Sequence, residues 1–307
     1  MTNRPALRSG HSLEMLFGAV ATLAVAIAVT PRDVRAQPAP LSTAHASPSE
    51  PEAVIELEPW RTRWTVRAEI GGSVHRLLLD TGGGTTFVSD ATARAAGCTP
   101  WGRRTGYNMF GKRMEGPTCG DLGVSIGGKH YTAASTGIVN MAALNPADSA
   151  LDGIAALDLF EGRAITLDFA HGRLTLESPA SLRERVATMR PLPIRLKREG
   201  DGLALAVVVA VPTRNGSLWL ELDSGNGGTV LVSKPVADLV GLDSSVAGRQ
   251  AADFPVIDGV RVRTTDAFTP NMIMDGNLGM PFLRHWIVTV DLRSGTGWIA
   301  PADESGR

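Results

Sequence analysis

The segment RLLLDTGGGTTFVS, residues 76–89, carries an acid, Asp80, to the end of an apolar run and sets glycines directly after it. A strand of this composition is half buried or more, and an unpaired ionised carboxylate there costs several kcal/mol, on the order of ten in the driest sites. Taken alone, Asp-Thr-Gly reads as a strand ending in a turn, with Asp80 and Thr81 bonded to the loop backbone and Gly82 to Gly84 supplying positive φ. The pattern, however, occurs twice. LWLELDSGNGGTVLVS, residues 218–233, repeats the apolar strand, the triplet Asp223-Ser224-Gly225, the glycines and a hydrophobic run ending in Ser. Two such acids point to a site in which a pair of carboxylates shares a proton and a water.

The copies continue in step. SDATARAAG (89–97) and SKPVADLVG (233–241) both read as short helices closing on glycine. Farther on, DGIAALDLF (152–160) matches DGNLGMPFL (275–283), and the next strands, AITLDF and VTVDL, match without a gap. Each leads through a turn to a last strand, RLTLES in one copy and GWIA in the other. The chain therefore reads as two tandem copies of one β unit.

Composition fits that reading. With 34 Gly, and short runs of Val, Ile, Leu and Thr between turn residues, the chain favours an all-β class over a helical one. Its 307 residues, 43% hydrophobic, suffice for one or two cores. A formal net charge of -1, with no basic patch interleaved with aromatics, gives no bias toward nucleic acid.

Arg4 and Arg8 precede an apolar run over residues 15–29, and Val34-Arg35-Ala36 offers a small-x-small site before Gln37. Residues 1–36 read as a signal peptide cleaved near Ala36; the alternative is an uncleaved anchor through residues 15–29. Residues 37–58, rich in Pro, Ala, Ser and Glu, read as a disordered linker. Both alternatives place the chain outside the cytoplasm, periplasmic or secreted. Such a compartment permits oxidation, so Cys98 and Cys119 either form a bond or remain two buried thiols. Two cysteines so placed, with six scattered histidines, give no zinc-ligand spacing. The stretch GVSIG, residues 123–127, matches a serine nucleophile elbow, which needs a strand turning into a helix. Gly128-Lys129 and a β-branched run come next instead, so Ser125 is expected as a strand residue of a hairpin.

The order of strand, Asp-Thr/Ser-Gly, helix, flap region, Asp-Gly segment and closing hairpin resembles the retropepsin-like aspartyl proteases, in a bacterial form with two fused units in a pepsin-like bilobal arrangement. The resemblance runs from about Trp60 to Pro301. It implies an all-β, bilobal aspartic-protease (acid protease) fold of two retropepsin-like β-barrel lobes: an N-terminal lobe over 59–178, a connection over 179–191 and a C-terminal lobe over 192–303. It implies Asp80 and Asp223 as the catalytic dyad and Thr81 and Ser224 as hydroxyls bracing the two loops beneath it. Gly82 and Gly225 would let the loop backbones approach that brace. Lobe one departs from the pattern, with Ala155-Ala156 where lobe two keeps Leu278-Gly279.

The implied activity is that of an aspartic endopeptidase acting on a polypeptide substrate without metal or cofactor. Because both acids lie on one chain, it would work as a monomer with internal pseudo-two-fold symmetry. The alternative is a catalytically inactive exported binding module on the same fold, against which the two intact triplets speak. The stretch from Asp80 to Asp152 exceeds that from Asp223 to Asp275, and the surplus falls around residues 102–120. That places the main flap in lobe one, with Tyr107, Met109 and Phe110 either lining its tip or packing the hairpin on its own lobe. A hydroxyl residue commonly comes after Asp-Thr-Gly in pepsin-like enzymes; here Gly83 and Asn226 stand at that position. With no donor at Gly83, and one at Asn226 only if its amide turns inward, the apparent pKa values of the dyad are expected to sit high. The activity bell should then move toward weakly acidic or neutral pH.

Overall fold

A computed structural model describes residues 49–302. The signal-peptide reading, the alternative anchor at 15–29 and the first part of the expected linker lie outside the described residues.

Each copy of the repeat builds its own sheet by the same pairings. In the first, the strand Ser73–Leu79 that leads into Asp80 runs parallel to Gly153–Ala155, which lies antiparallel to Phe87–Ser89; that strand in turn runs parallel to Gly137–Val139. In the second, Gly216–Leu222 runs parallel to Gly276–Leu278, which lies antiparallel to Val230–Val232, itself parallel to Val260–Phe268. The sheets have ten and seven strands. Alternation sets their inner faces: Leu77, Leu79, Leu220 and Leu222 are all but fully buried, each stabilising the fold by roughly 1.5–3 kcal/mol.

The last strands of the two copies meet in a third, six-stranded sheet. Ala164–Asp168 pairs antiparallel with Trp286–Asp291, with Thr166 opposite Thr289 and their hydroxyls 2.8 Å apart. Because these threonines occupy matching places in the two copies, the pseudo-two-fold axis passes between them. The connection over 179–191 is not a plain loop. It holds the helix Pro179–Val186, started by a reciprocal Ser178/Ser181 capping box, and the strand Arg190–Leu192, which joins the shared sheet beside Thr296–Pro301.

One expectation needs correction. Residues 53–58, assigned to a disordered linker, are structured: Ala53–Glu56 adds an edge strand to the shared sheet by pairing with Arg173–Glu177, and Glu58–Trp60 begins the next. Ile55 and Leu57 are buried, and that apolar contact outweighs the acidic composition that suggested disorder. Cys98 and Cys119 are disulfide-bonded, with Cα atoms 5.7 Å apart. Ser125 lies in the strand Leu122–Ile126 of a hairpin with Lys129–Ala133 and no helix comes after it, so the geometry of a nucleophile elbow is absent there.

Candidate active site

Both acids sit where a buried strand gives way to a glycine loop. Asp80 N donates to Ala155 O at 3.0 Å, and Asp223 N donates to Leu278 O at 3.1 Å. Four residues upstream each strand is pinned by the acid of its Asp-Gly segment: Asp152 Oδ2 accepts from Arg76 N at 2.9 Å, and Asp275 Oδ2 from Trp219 N at 2.8 Å. The repeated Asp-Gly segments thus hold the repeated triplets from beneath.

Thr81 and Ser224 lock the two loops together. Thr81 Oγ1 donates to Leu222 O and Ser224 Oγ to Leu79 O, each at 2.7 Å, and each hydroxyl accepts from the other residue's backbone N–H, at 3.0 and 3.1 Å. All donors and acceptors of this brace are satisfied, and both side chains are almost wholly buried. The glycines of the two triplets are fixed by close approach. A Cβ on Gly225 would lie 2.4 Å from Asp80 Cγ, and one on Gly82 would lie 2.7 Å from Asp223 Cγ. The carboxyl groups therefore meet across two chain segments that only glycine allows so near.

The two acids differ in their surroundings. Asp223 is buried and Asp80 keeps a partly exposed edge. Burial, the facing Asp223 and, farther off, Glu221 push the Asp80 carboxyl well above the usual carboxylate range, against one backbone donor, Gly82 N at 3.1 Å. Asp223 accepts Asn226 N on Oδ1 at 3.1 Å and the side-chain amide of Asn277 on Oδ2. The expectation for the loop residues is half corrected. Gly83 indeed supplies no side-chain donor, and Asn226 turns its amide away, toward Asn277 and Thr229. The side-chain donor to Asp223 comes instead from Asn277, within DGNLG, where the first copy has Ile154.

This rearrangement explains the second residue of Ala155-Ala156; nothing in the structure explains the first. In lobe two a Cβ on Gly279 would lie 2.5 Å from both Asn226 O and Thr229 O, so the tucked-in Asn226 demands glycine there. In lobe one the loop residue is Gly83, and Ala156 fits, its N–H donating to Thr86 Oγ1 at 3.3 Å while Thr86 bonds the Asp158 carboxylate. Gly279→Ala is therefore expected to destabilise the chain by about 1–3 kcal/mol and Ala156→Gly by about 1 kcal/mol or less, read from the midpoints of denaturant unfolding. Equal costs would contradict the steric account.

A third acid, unforeseen, stands beside the dyad. Glu221 lies two residues before Asp223 and so on the same face of its strand; it is 4% exposed, and its carboxylate is 3.6 Å from Lys197 Nζ. Burial pushes it up to about 7 despite Lys197. The signal was present in LELD, where one charge interrupts an apolar strand at the spacing that shares a face with Asp223.

The expected flap is the hairpin of Trp101–Tyr107 and Arg113–Thr118. Its tip is closed by Asn108 Oδ1, which accepts from Phe110 N and Lys112 N, and it reaches lobe two, where Ile273 N donates to Met109 O at 3.1 Å. Tyr107 and Phe110 are 64% and 53% exposed, so neither packs the hairpin onto its own lobe.

No family model and no curated protein matches the chain. Among solved structures it is similar to the crystal structure of basic 7S globulin from soybean, with a TM-score of 0.54 and 11% sequence identity over 83% of this chain and 96% of that one. At that identity the likeness is one of fold: the chain has the mostly β, two-lobed aspartic-protease-like fold.

Proposed function

We propose that the chain is an aspartic endopeptidase of the retropepsin-like kind, with two units fused in one polypeptide, and that Asp80 and Asp223 are its catalytic acids. The observation that carries this reading is the reciprocal Thr81/Ser224 brace, which presents one carboxylate from each copy to the other. Two carboxyl groups so close cannot both ionise cheaply, so near working pH the pair holds one proton. The ionised member takes a proton from a bound water as that water attacks the scissile carbonyl, and the protonated member polarises the carbonyl oxygen. Proton transfer to the amide nitrogen then completes cleavage. A hairpin that already spans from Met109 to Ile273 suits a flap that closes over an extended peptide. Export and action as a monomer belong to the same proposal.

The test is incubation of the purified chain with a mixed peptide library, read by mass spectrometry, with and without a statine-type inhibitor whose hydroxyl mimics the attacking water. New cleavage products that vanish with the inhibitor and persist with a chelator are expected. A folded chain that binds the inhibitor or peptides and cuts none is instead the exported binding module.

A further inference from the structure

The two-fold symmetry of the site is broken at one buried side chain. Ile154 and Asn277 occupy the same place in the two Asp-Gly segments, each beside the strand that comes after a catalytic loop. Ile154 offers no polar atom, whereas Asn277 is fully buried with its Nδ2 on Asp223 Oδ2. We propose that Asn277 is a positioning residue that keeps Asp223 the ionised member of the pair and so leaves the shared proton on Asp80. Its catalytic consequence rests on the peptidase reading; the assignment itself rests on the hydrogen bonds.

The orientation of the Asn277 amide is fixed by a chain of bonds that begins at the backbone. Asn226 Oδ1 accepts from Thr229 N at 3.2 Å, Thr229 Oγ1 at 2.9 Å and Gly228 N at 3.4 Å, so the other end of its amide is the nitrogen. That nitrogen donates to Thr229 O at 3.0 Å and to Asn277 Oδ1 at 2.8 Å. With its oxygen so occupied, Asn277 presents N–H to Asp223. An N–H only donates, and it is satisfied by a carboxylate lone pair; a proton on Asp223 Oδ2 would set donor against donor. Asp223 thus has a donor on each oxygen, and a carboxylate held by two or three donors favours its charged form strongly. Asp80, with Gly82 N as its backbone donor, has no amide in the place of Asn277. The charged groups facing Asp223 are Asp80 across the pair, Glu221 on its own strand and, behind Glu221, Lys197 and Glu199 from the strand Ile194–Glu199. Beside these groups, Asn277 is the neutral side chain that donates to Asp223.

The experiment is a ¹³C titration of the aspartate carboxyl carbons, which needs no substrate. In an Asp80→Asn chain Asp223 titrates without its partner, and adding Asn277→Leu is expected to raise its apparent pKa by about one unit or more. In an Asp223→Asn chain the same substitution is expected to move Asp80 by no more than about a few tenths of a unit. Asn277→Ala, which removes the amide and adds no bulk, gives the same readout if the leucine chain does not fold. An Asp223 titration that stays in place, or an Asp80 titration that moves as far, overturns the assignment. Cleavage by the chain with both acids intact separates the two proposals: an Asp223 that shifts in the Asp80→Asn background, beside an unsubstituted chain that cuts no peptide, supports the role of Asn277 and removes the peptidase reading. Cleavage by the unsubstituted chain, with Asp223 unmoved in that background, does the reverse.

Discussion

Asp80→Asn and Asp223→Asn are each expected to lower kcat/KM for peptide cleavage by roughly 10³-fold or more, to the same floor and without loss of the fold. Neither acid can act alone: an ionised carboxylate without a protonated neighbour lacks the group that polarises the carbonyl, and a protonated one lacks the base. The double variant should therefore be no worse than either single one. The brace beneath the dyad uses hydroxyls and backbone of Thr81, Ser224, Leu79 and Leu222 and leaves the carboxylates out, so both variants keep it. Removing the Asp80 charge relieves a burial penalty, and the thermal midpoint at neutral pH should hold or rise. Steady-state cleavage beside circular dichroism checks this. One substitution that spares activity, in a chain with a native spectrum, would remove that residue from the chemistry.

The second large effect concerns stability. Glu221→Gln is expected to stabilise the chain at pH 8 by up to about 3 kcal/mol and to change little at pH 4. Glu221 is raised by burial from 4.5 to about 7, so the folded state holds its proton more tightly than the unfolded chain does. The stability it contributes is fully present below about 4.5 and is lost as pH rises through 7. Lys197 opposes this but does not cancel it, and Lys197 keeps Glu199 at 3.0 Å when Glu221 is replaced. Asp80 and Asp158, both raised chiefly by burial, add slope of the same sign, so the wild type should lose stability over this range. Unfolding by denaturant at the two pH values measures the difference. If the Lys197 pair governed instead, Glu221→Gln would destabilise the chain at pH 8.

Most of the scaffold was legible because it is written twice. The triplets, the Asp-Gly segments and the closing strands recur in order, and the apolar runs that lead into both triplets are buried, Leu77 to Leu79 in one copy and Leu220 to Leu222 in the other. The features that escaped depend on contacts between segments distant in sequence. The steric exchange of Gly83 with Ala156 against Asn226 with Gly279 is invisible until the loops are packed together. Asn277 stood in plain view as the one polar residue between Gly276 and Leu278, but its partner lies 54 positions away. The strand Ala53–Glu56 was missed because its composition is that of a tether, while its pairing partner appears only after Asp168.

At the centre of the proposed chemistry, one acid from each copy shares a single proton. The pH dependence of kcat/KM on one cleaved peptide tests this most directly, since a shared proton must be neither absent nor doubled. The expected profile is a bell with two limbs, the descending one above the usual carboxylate range because Asp80 is pushed up. A profile that rises through one limb to a plateau at high pH would show that a single ionised group suffices, and would contradict the paired mechanism.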